Sequence, residues 1–458
     1  MMRLTFSILF VLAVFLAGCS ARVQPFVPTV TENVETDASP DGVTENGETD
    51  TSPEEVSEIM EPICKIFIDA RVWTQGEDSS GAFSPDGRYL AVFEAVTPRN
   101  VALFDLNTGK NIKRFQGNHS EIKKGAVAFS PDSRRFAFRN HDNVIVWDIV
   151  EDKAVCYIPL SQNRFGGTAA VYSLRFSDDG KTLSGVVGPV GFVWDIEAQG
   201  TVIKTVSRST PGRGIFYCYP DLSRAIVYTD QTRKHEFRDL TSGQNIERFT
   251  NFCFLSHYYG PSVKNLSRMA FSDDDQYFAL DNNILEHNLG NHLLVWDAPT
   301  GSDICTIPLA YKLTAFTFLP KSRVLVTACD PDPQIPFGVR PNPHVPKTTP
   351  MRKPVPKTPS RAVIEFWDID HLIWHKEKAN LFPRKIKTCY LEGEDDIHFM
   401  AASPDGKLLY MRSGKPIVER GSTLNIANGY IFSLDPNEKP ELPTEIRLDD
   451  QAIVRLTN

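Results

Sequence analysis

Phe129-Ser130-Pro131-Asp132-Ser133, followed at 147–149 by Trp147-Asp148-Ile149, is the stretch from which the fold can be read. In the first element proline fixes φ, and the serine and aspartate side chains can hydrogen-bond the turn backbone. Apolar residues on both sides of that turn make it a hairpin. In the second element a large flat side chain stands just before an aspartate. Such a side chain suits a packing layer between two sheets.

Both elements recur along the chain. The turn appears as Phe83-Ser84-Pro85-Asp86-Gly87, then at 129–133, then as Phe176-Ser177-Asp178-Asp179-Gly180, at spacings of 46 and 47 residues. Cys218-Tyr219-Pro220-Asp221, Phe271-Ser272-Asp273-Asp274 and Phe318-Leu319-Pro320-Lys321 are degenerate forms, and Ala402-Ser403-Pro404-Asp405-Gly406 is the last. The aromatic-aspartate element appears as Phe104-Asp105-Leu106, at 147–149, and as Trp194-Asp195-Ile196, Arg238-Asp239-Leu240, Trp296-Asp297-Ala298 and Trp367-Asp368-Ile369, with Ile431-Phe432-Ser433-Leu434-Asp435 as its seventh equivalent. One such sheet cannot bury both of its faces alone, but sheets stacked radially can.

These residues resemble the WD-repeat β-propeller family over residues 62–458. The resemblance implies an all-β, seven-bladed β-propeller of four-stranded antiparallel blades. The erosion of copies four, six and seven leaves six or eight blades open. The family's Gly-His pair survives only in Gly117-Asn118-His119, so most of the hydrogen-bond network built on that histidine is expected to be absent. The alternating segment from Ile63 to Ile68 is expected to supply the outer strand of the last blade. Glu445–Leu448 and Ala452–Leu456 compete for that place.

In this fold strands run a to d from the axis outward, and the b–c and d–a connections share one face. The longest connections all fall there: Thr250–Arg268 before copy five, Asp281–His292 in copy five, Asp330–Arg361 in copy six and Arg412–Gly429 in copy seven. Binding residues concentrate on loops held by a rigid scaffold. Candidate partner contacts on this face are therefore Tyr258, Tyr259 and His287, together with Arg340, Lys347, Arg352, Lys353 and Lys357 of the copy-six insertion (331–360). That insertion carries ten prolines between Asp330 and Arg361, a density that favours extended polyproline structure.

The N-terminus reads as an address. The apolar run 4–17 is short for a transmembrane helix, follows Arg3 and has the layout of a secretory signal. Leu16-Ala17-Gly18-Cys19 resembles the lipobox of bacterial lipoproteins. That resemblance implies a signal peptide over 1–18, cleavage before Cys19 and a lipid anchor on its sulfur. Ser20 in place of aspartate leans towards the periplasmic side of the outer membrane, if the cell has two membranes. Residues 19–61 then read as a disordered acidic tether. Eleven acids and no lysine or arginine lie between Arg22 and Lys65, and such a composition cannot bury enough apolar surface to order itself.

The net charge of −8 belongs to that tether, and the body is close to neutral. A basic stripe of the kind nucleic-acid binding needs is not present. The seven cysteines after Cys19 include no C-x-x-C pair and are expected to be buried free thiols. His371 and His375 have a spacing some zinc sites use, but a surface loop or short helix is the better reading. The acids at 273–275 and 394–396 read as solvated turns. No catalytic residue, metal or cofactor is assigned. The sequence thus points to a membrane-anchored scaffold that binds a protein or envelope polymer. An envelope hydrolase or lyase with its site in the central channel, and a helper in outer-membrane assembly, are the alternatives.

Overall fold

The computed structural model describes residues 57–72, 81–94, 100–116, 127–140, 143–160, 171–187, 190–206, 213–218, 223–229, 234–239, 242, 244, 269–281, 292–330, 361–375, 380–393, 397–419, 422–435, 437, 440–447 and 453–455. The chain divides into a unit ending at Glu54 and a unit from Glu55 to Asn458. All described residues belong to the second unit, and among them there are strands and turns but no helix.

Two strands precede the first copy, β1 (Ser57–Ile59) and β2 (Cys64–Val72). The first copy forms β3 (Gly81–Phe83), β4 (Tyr89–Glu94), β5 (Asn100–Asp105) and β6 (Lys110–Gln116). The second forms β7 (Val127–Phe129), β8 (Arg135–Asn140), β9 (Asn143–Asp148) and β10 (Lys153–Pro159). The third forms β11 (Val171–Phe176), β12 (Thr182–Val187), β13 (Val190–Asp195) and β14 (Thr201–Val206). The fourth contributes β15 (Arg213–Cys218), β16 (Arg224–Thr229) and β17 (Lys234–Asp239). The fifth forms β18 (Met269–Phe271), β19 (Tyr277–Asp281), β20 (His292–Asp297) and β21 (Asp303–Pro308). The sixth forms β22 (Lys312–Phe318), β23 (Val324–Asp330), β24 (Arg361–His375) and β25 (Asn380–Glu392). The seventh forms β26 (Ile397–Ala402), β27 (Leu408–Glu419) and β28 (Ser422–Ser433), and β29 (Glu445–Arg447) and β30 (Ile453–Arg455) end the chain. The described residues make seven sheets, one per copy, and the architecture is a WD-repeat-like β-propeller.

The a–b turn is the same device in five copies. The hydroxyls of Ser84, Ser130, Ser177, Ser272 and Ser403 donate to the carboxylates of Asp86, Asp132, Asp179, Asp274 and Asp405 at 2.5–2.6 Å. Each serine oxygen also accepts the N–H of the residue five positions on, such as Tyr89 or Leu408, at 2.8 Å in those two copies. The fourth turn residue sits in the left-handed region, at φ 74° for Gly87 and φ 58° for Ser133. Glycine tolerates that region without penalty, and short polar residues at modest cost.

The aspartate of the second element caps the c–d turn. Asp148 accepts the N–H of Glu151 at 2.8 Å, and Asp297 that of Thr300 at 2.8 Å. The aromatic before it fills the sheet interior: Phe104, Trp147, Trp194, Trp296, Trp367 and Phe432 are all buried. In copy seven, Ser433 opposes Leu408 at the aspartate's register, and Asp435 takes the N–H of Asn437 at 2.8 Å. In copy four, Arg238 replaces the aromatic and faces Ala225. In the tryptophan layer, Trp367 Nε1 donates to Thr327 Oγ1 at 3.1 Å.

The core lies in the seams between consecutive sheets. Ala137, Val146 and Ile158 of the second meet Leu174, Leu183 and Trp194 of the third. Phe115 of the first meets Phe136 and Phe138 of the second, with ring centroids 5.4 and 4.7 Å apart. Similar clusters join the fifth to the sixth and the sixth to the seventh. Arg224 of the fourth reaches the carbonyl of Pro299 in the fifth at 3.4 Å. The ring closes where Tyr410 and Ile431 of the seventh sheet, with Ile66 of β2, pack on Leu90, Ala102 and Phe104 of the first.

As the alternation from Ile63 predicts, β2 is the outer strand of the last blade, antiparallel to β28. The C-terminal segments do not compete for that place but extend it. β29 runs parallel to β2 as a fifth strand, and β30 runs parallel to β6 of the first blade. A Cβ on Gly109 would lie 2.2 Å from Pro443, so the C-terminal strap sits directly on the first blade's c–d turn.

Three expectations are corrected. β1, parallel to β25 of the sixth blade, falls inside the stretch assigned to the tether. The copy-seven interruption from Arg412 to Gly429 is not a loop, because β27 and β28 simply continue as a paired ribbon. His371 and His375 lie on β24, whose hairpin with β25 is extended past Asp368 by the pairs Leu372–Pro383 to His375–Asn380. Main-chain pairing satisfies the backbone there, so neither a loop nor a helix forms.

Ile66, fully buried in the closing seam, tests the role of β2. Ile66→Ala should lower the unfolding free energy by about 2–5 kcal/mol. Ile59→Ala, on β1 and 58% exposed, should change it by less than about 0.5 kcal/mol. Equal shifts of the two denaturant midpoints would contradict closure through β2.

Candidate functional site

The two faces of the ring differ chemically. On the face of the a–b turns, neighbouring turns bond one another. The N–H of Asp86 donates to Ser133 Oγ at 2.9 Å, and that of Lys321 to Asp273 Oδ2 at 3.4 Å. The guanidinium of Arg175, on the inner strand of blade three, reaches both carboxylate oxygens of Asp275 in the blade-five turn at 2.8 Å. This face is stitched to itself.

The opposite face carries the long connections, and blades five and six show its described rim. β19 ends at Asp281, and the chain returns at His292. β23 ends at Asp330, and the chain returns at Arg361. Between the two blades the link from Leu309 to Lys312 is short, and it leaves Tyr311 42% exposed. Lys312 stands across from Asp330, and Arg361 across from Glu392. The Arg361 guanidinium lies 3.5 Å from the centre of the Tyr390 ring. Its Nε, like Nδ1 of His292, is buried and finds no hydrogen-bond partner among the described residues.

Below this rim a polar ladder descends into the seam. Asp281 is buried beside the cluster that holds Cys329, and Glu365 accepts from Lys385 at 3.3 Å. Desolvation, reinforced by the negative charges of Glu365, Asp281 and Asp330, pushes the Cys329 thiol well above its ordinary pKa. Burial also raises Cys64 and Cys156 to about 11 and Cys305 to about 12, and it raises Cys389. These five are free and buried, as expected, and Cys305 and Cys329 share the seam between blades five and six. Near the other end of blade six, burial disfavours the charged form of Asp368. Hydrogen bonds from His371, the N–H of Asp370 and Arg384 outweigh that and hold its pKa low.

The sequence-derived contacts Tyr258, Tyr259, His287, Arg340, Lys347, Arg352, Lys353 and Lys357 lie outside the described residues, as do Cys19, Gly117-Asn118-His119 and the acids at 394–396. The run at 273–275 does form a turn. Sequence reasoning missed Tyr311, Lys312 and the Tyr390 stack. The only signal for them was an aromatic-basic pair in a short link between two long interruptions. A cationic plane on an aromatic face can take a carboxylate or another planar anion. Among the described residues no group of three or more histidine, cysteine or acidic side chains is placed to hold a metal ion.

No family model and no curated protein matches the chain. Among solved structures 1002 chains match. One, from the crystal structure of a mitotic checkpoint complex, is 13% identical over 89% of this chain and 99% of its own, with a TM-score of 0.50. At that identity the likeness defines the fold class, a propeller of WD-like repeats.

The thiols supply a test. With pKa values raised by burial, Cys64, Cys156, Cys305, Cys329 and Cys389 stay protonated and shielded at pH 8. Iodoacetamide followed by peptide mass spectrometry should modify none of the five in native protein and all of them in denatured protein. Native modification of any of them would contradict the packing of its seam.

Proposed function

We propose that this protein is a lipid-anchored scaffold of the bacterial cell envelope that binds a protein or an envelope polymer through the loop face over blades five to seven. The observation that carries this reading is the asymmetry of the ring. One face bonds to itself, while the other carries the departures at Asp281 and Asp330, the extended ribbon of β27 and β28, and the Tyr311–Lys312–Arg361 rim. Extra chain on one face of a rigid scaffold is the usual way such folds acquire partners. The basic, proline-rich insertion 331–360 leaves and re-enters at that rim. Its lysines and arginines suit acidic groups on a protein or on the polymer.

The anchor reading rests on Leu16-Ala17-Gly18-Cys19. More than one acyl chain on a single cysteine makes attachment durable, at about 0.8 kcal/mol per buried methylene. The acidic stretch that follows would hold the ring away from the headgroups, on the periplasmic side of the outer membrane where there are two membranes.

Two experiments test these statements separately. Cys19→Ser should abolish incorporation of labelled palmitate and move the protein from the membrane to the soluble fraction. Unchanged fractionation would remove the anchor. Crosslinking and mass spectrometry on native envelopes should recover one dominant partner with the full chain, at least tenfold depleted when residues 331–360 are deleted. An identical partner profile from both chains would remove the loop face.

A further inference from the structure

The strand that the N-terminal side of the chain supplies to the ring is held on both of its edges by the C-terminal side. β2 lies between β28 and β29 in the last sheet, antiparallel to the first and parallel to the second. The N–H of Lys65 donates to the carbonyl of Thr444 at 2.9 Å, and that of Ile63 to the carbonyl of Ile431 at 2.8 Å. On the outward side of β2 the Phe67 ring has the Lys65 ammonium 4.8 Å and the Arg447 guanidinium 5.0 Å from its centre. On the seam side Ile446 is 1% exposed, within the cluster that holds Cys64, Ile66, Leu90 and Phe104.

The strap does not stop at blade seven. Before β29, Pro443 sits on Gly109 in the c–d turn of blade one, and Leu442 packs against the closing cluster. After β29 the chain returns as β30 on the edge of β6, again in blade one. Residues 440–455 thus grip both blades of the closing seam from outside. β29 pairs with β2 at only three positions, so its hold rests on Ile446, Pro443 and β30 together. Sliding offers β2 no exit either. A shift of one residue turns Cys64 and Ile66 out of the seam and Lys65 into it.

We propose that residues 440–455 form a latch that fixes the order in which the ring opens. The strap releases first, β2 leaves second, and the sheets lose their cores only afterwards. Proteins open locally in cooperative units of different stability, and chain connectivity makes β2 such a unit. β26, β27 and β28 are joined in sequence by hairpins, so none of them leaves alone. β2 comes from the other end of the chain, and no turn returns it to β28 once that pairing breaks. While the strap is docked, β29 holds the strand and the pairing re-forms. The consequence for attachment rests on the anchor reading: a load drawn through Cys19 enters the ring at β1 and β2, and the latch keeps that load from opening the closing seam.

Cys64, on β2 and 1% exposed, reports the event, and Cys305 and Cys329 in the seam between blades five and six serve as internal controls. Thiol modification is followed by mass spectrometry in urea below the unfolding transition, for the full chain and for a chain lacking 441–458. The expected result is at least tenfold faster modification of Cys64 in the shortened chain, with the rates of Cys305 and Cys329 unchanged. Hydrogen exchange on the unaltered chain gives a second measurement that stands even where the shortened chain does not fold. In the same urea, 442–447 should exchange first, 64–67 next, and β4 and β28 last. Equal acceleration of all three thiols would make the strap a general stabiliser and overturn the latch. So would an unchanged Cys64 rate, or exchange of 64–67 no earlier than that of β4 and β28. None of these readouts involves Cys19, so failure of the latch and failure of the anchor are told apart.

Discussion

Everything in this structure depends on the burial of both faces of each small sheet against its neighbours. A four-stranded sheet with apolar residues on both faces is not stable in water by itself. Val146 and Trp147 are adjacent on β9, yet they point into different seams, one towards blade three and the other towards blade one. That arrangement lowers free energy only if the ring has no end. The seam between blades seven and one is therefore decisive, and it is the seam built from both ends of the chain. Ile66 enters from the N-terminal side and Ile446 from the C-terminal side of the same cluster.

Ring closure also explains where function can accumulate. The a–b turns are committed: each serine-aspartate pair holds its own turn, and several turns bond the next. Inserting residues there would break hydrogen bonds in two blades at once. The long interruptions of the sequence fall instead in the b–c and d–a connections. A loop between two fixed ends loses only about 0.6 kcal/mol for each doubling of its length. The thirty residues between Asp330 and Arg361 are thus tolerated while β23 and β24 keep their register beneath them.

What could be read in the sequence was what local chemistry encodes. Serine, proline, aspartate and glycine in order make a turn wherever they occur, and tryptophan before aspartate marks the sheet interior. Phe432 was legible in the tryptophan's place because its neighbours kept the pattern, whereas the fourth copy faded where Arg238 replaced the aromatic. The three-residue strands β1, β29 and β30 carry no periodicity that separates them from loop, since a parallel fifth strand is specified by the edge it meets. The ribbons past Asp368 and Arg412 were hidden for the same reason. Their pairing comes from cross-strand partners, not from turn residues at the expected place. The rim at Tyr311 and Arg361 depends on exposure and stacking, which arise only when blades five and six stand side by side.

The added strands bear on the hazard that closure does not remove. A closed ring has no free sheet face, yet every blade still ends in an outer strand with one unpaired backbone row. The chain's two ends emerge around blades six, seven and one, because the closing seam is there, and they cover those edges at little entropic cost since they are already tethered beside them. They cannot serve the far side of the ring equally well. The edge of β10 in blade two alternates buried and exposed residues, with Cys156 and Ile158 turned into the seam. β14 makes no such compromise: its side chains from 201 to 205 are all exposed, although Lys204 places a charge at its centre. A single charge in a β-branched hexamer is a weak guard against indiscriminate pairing.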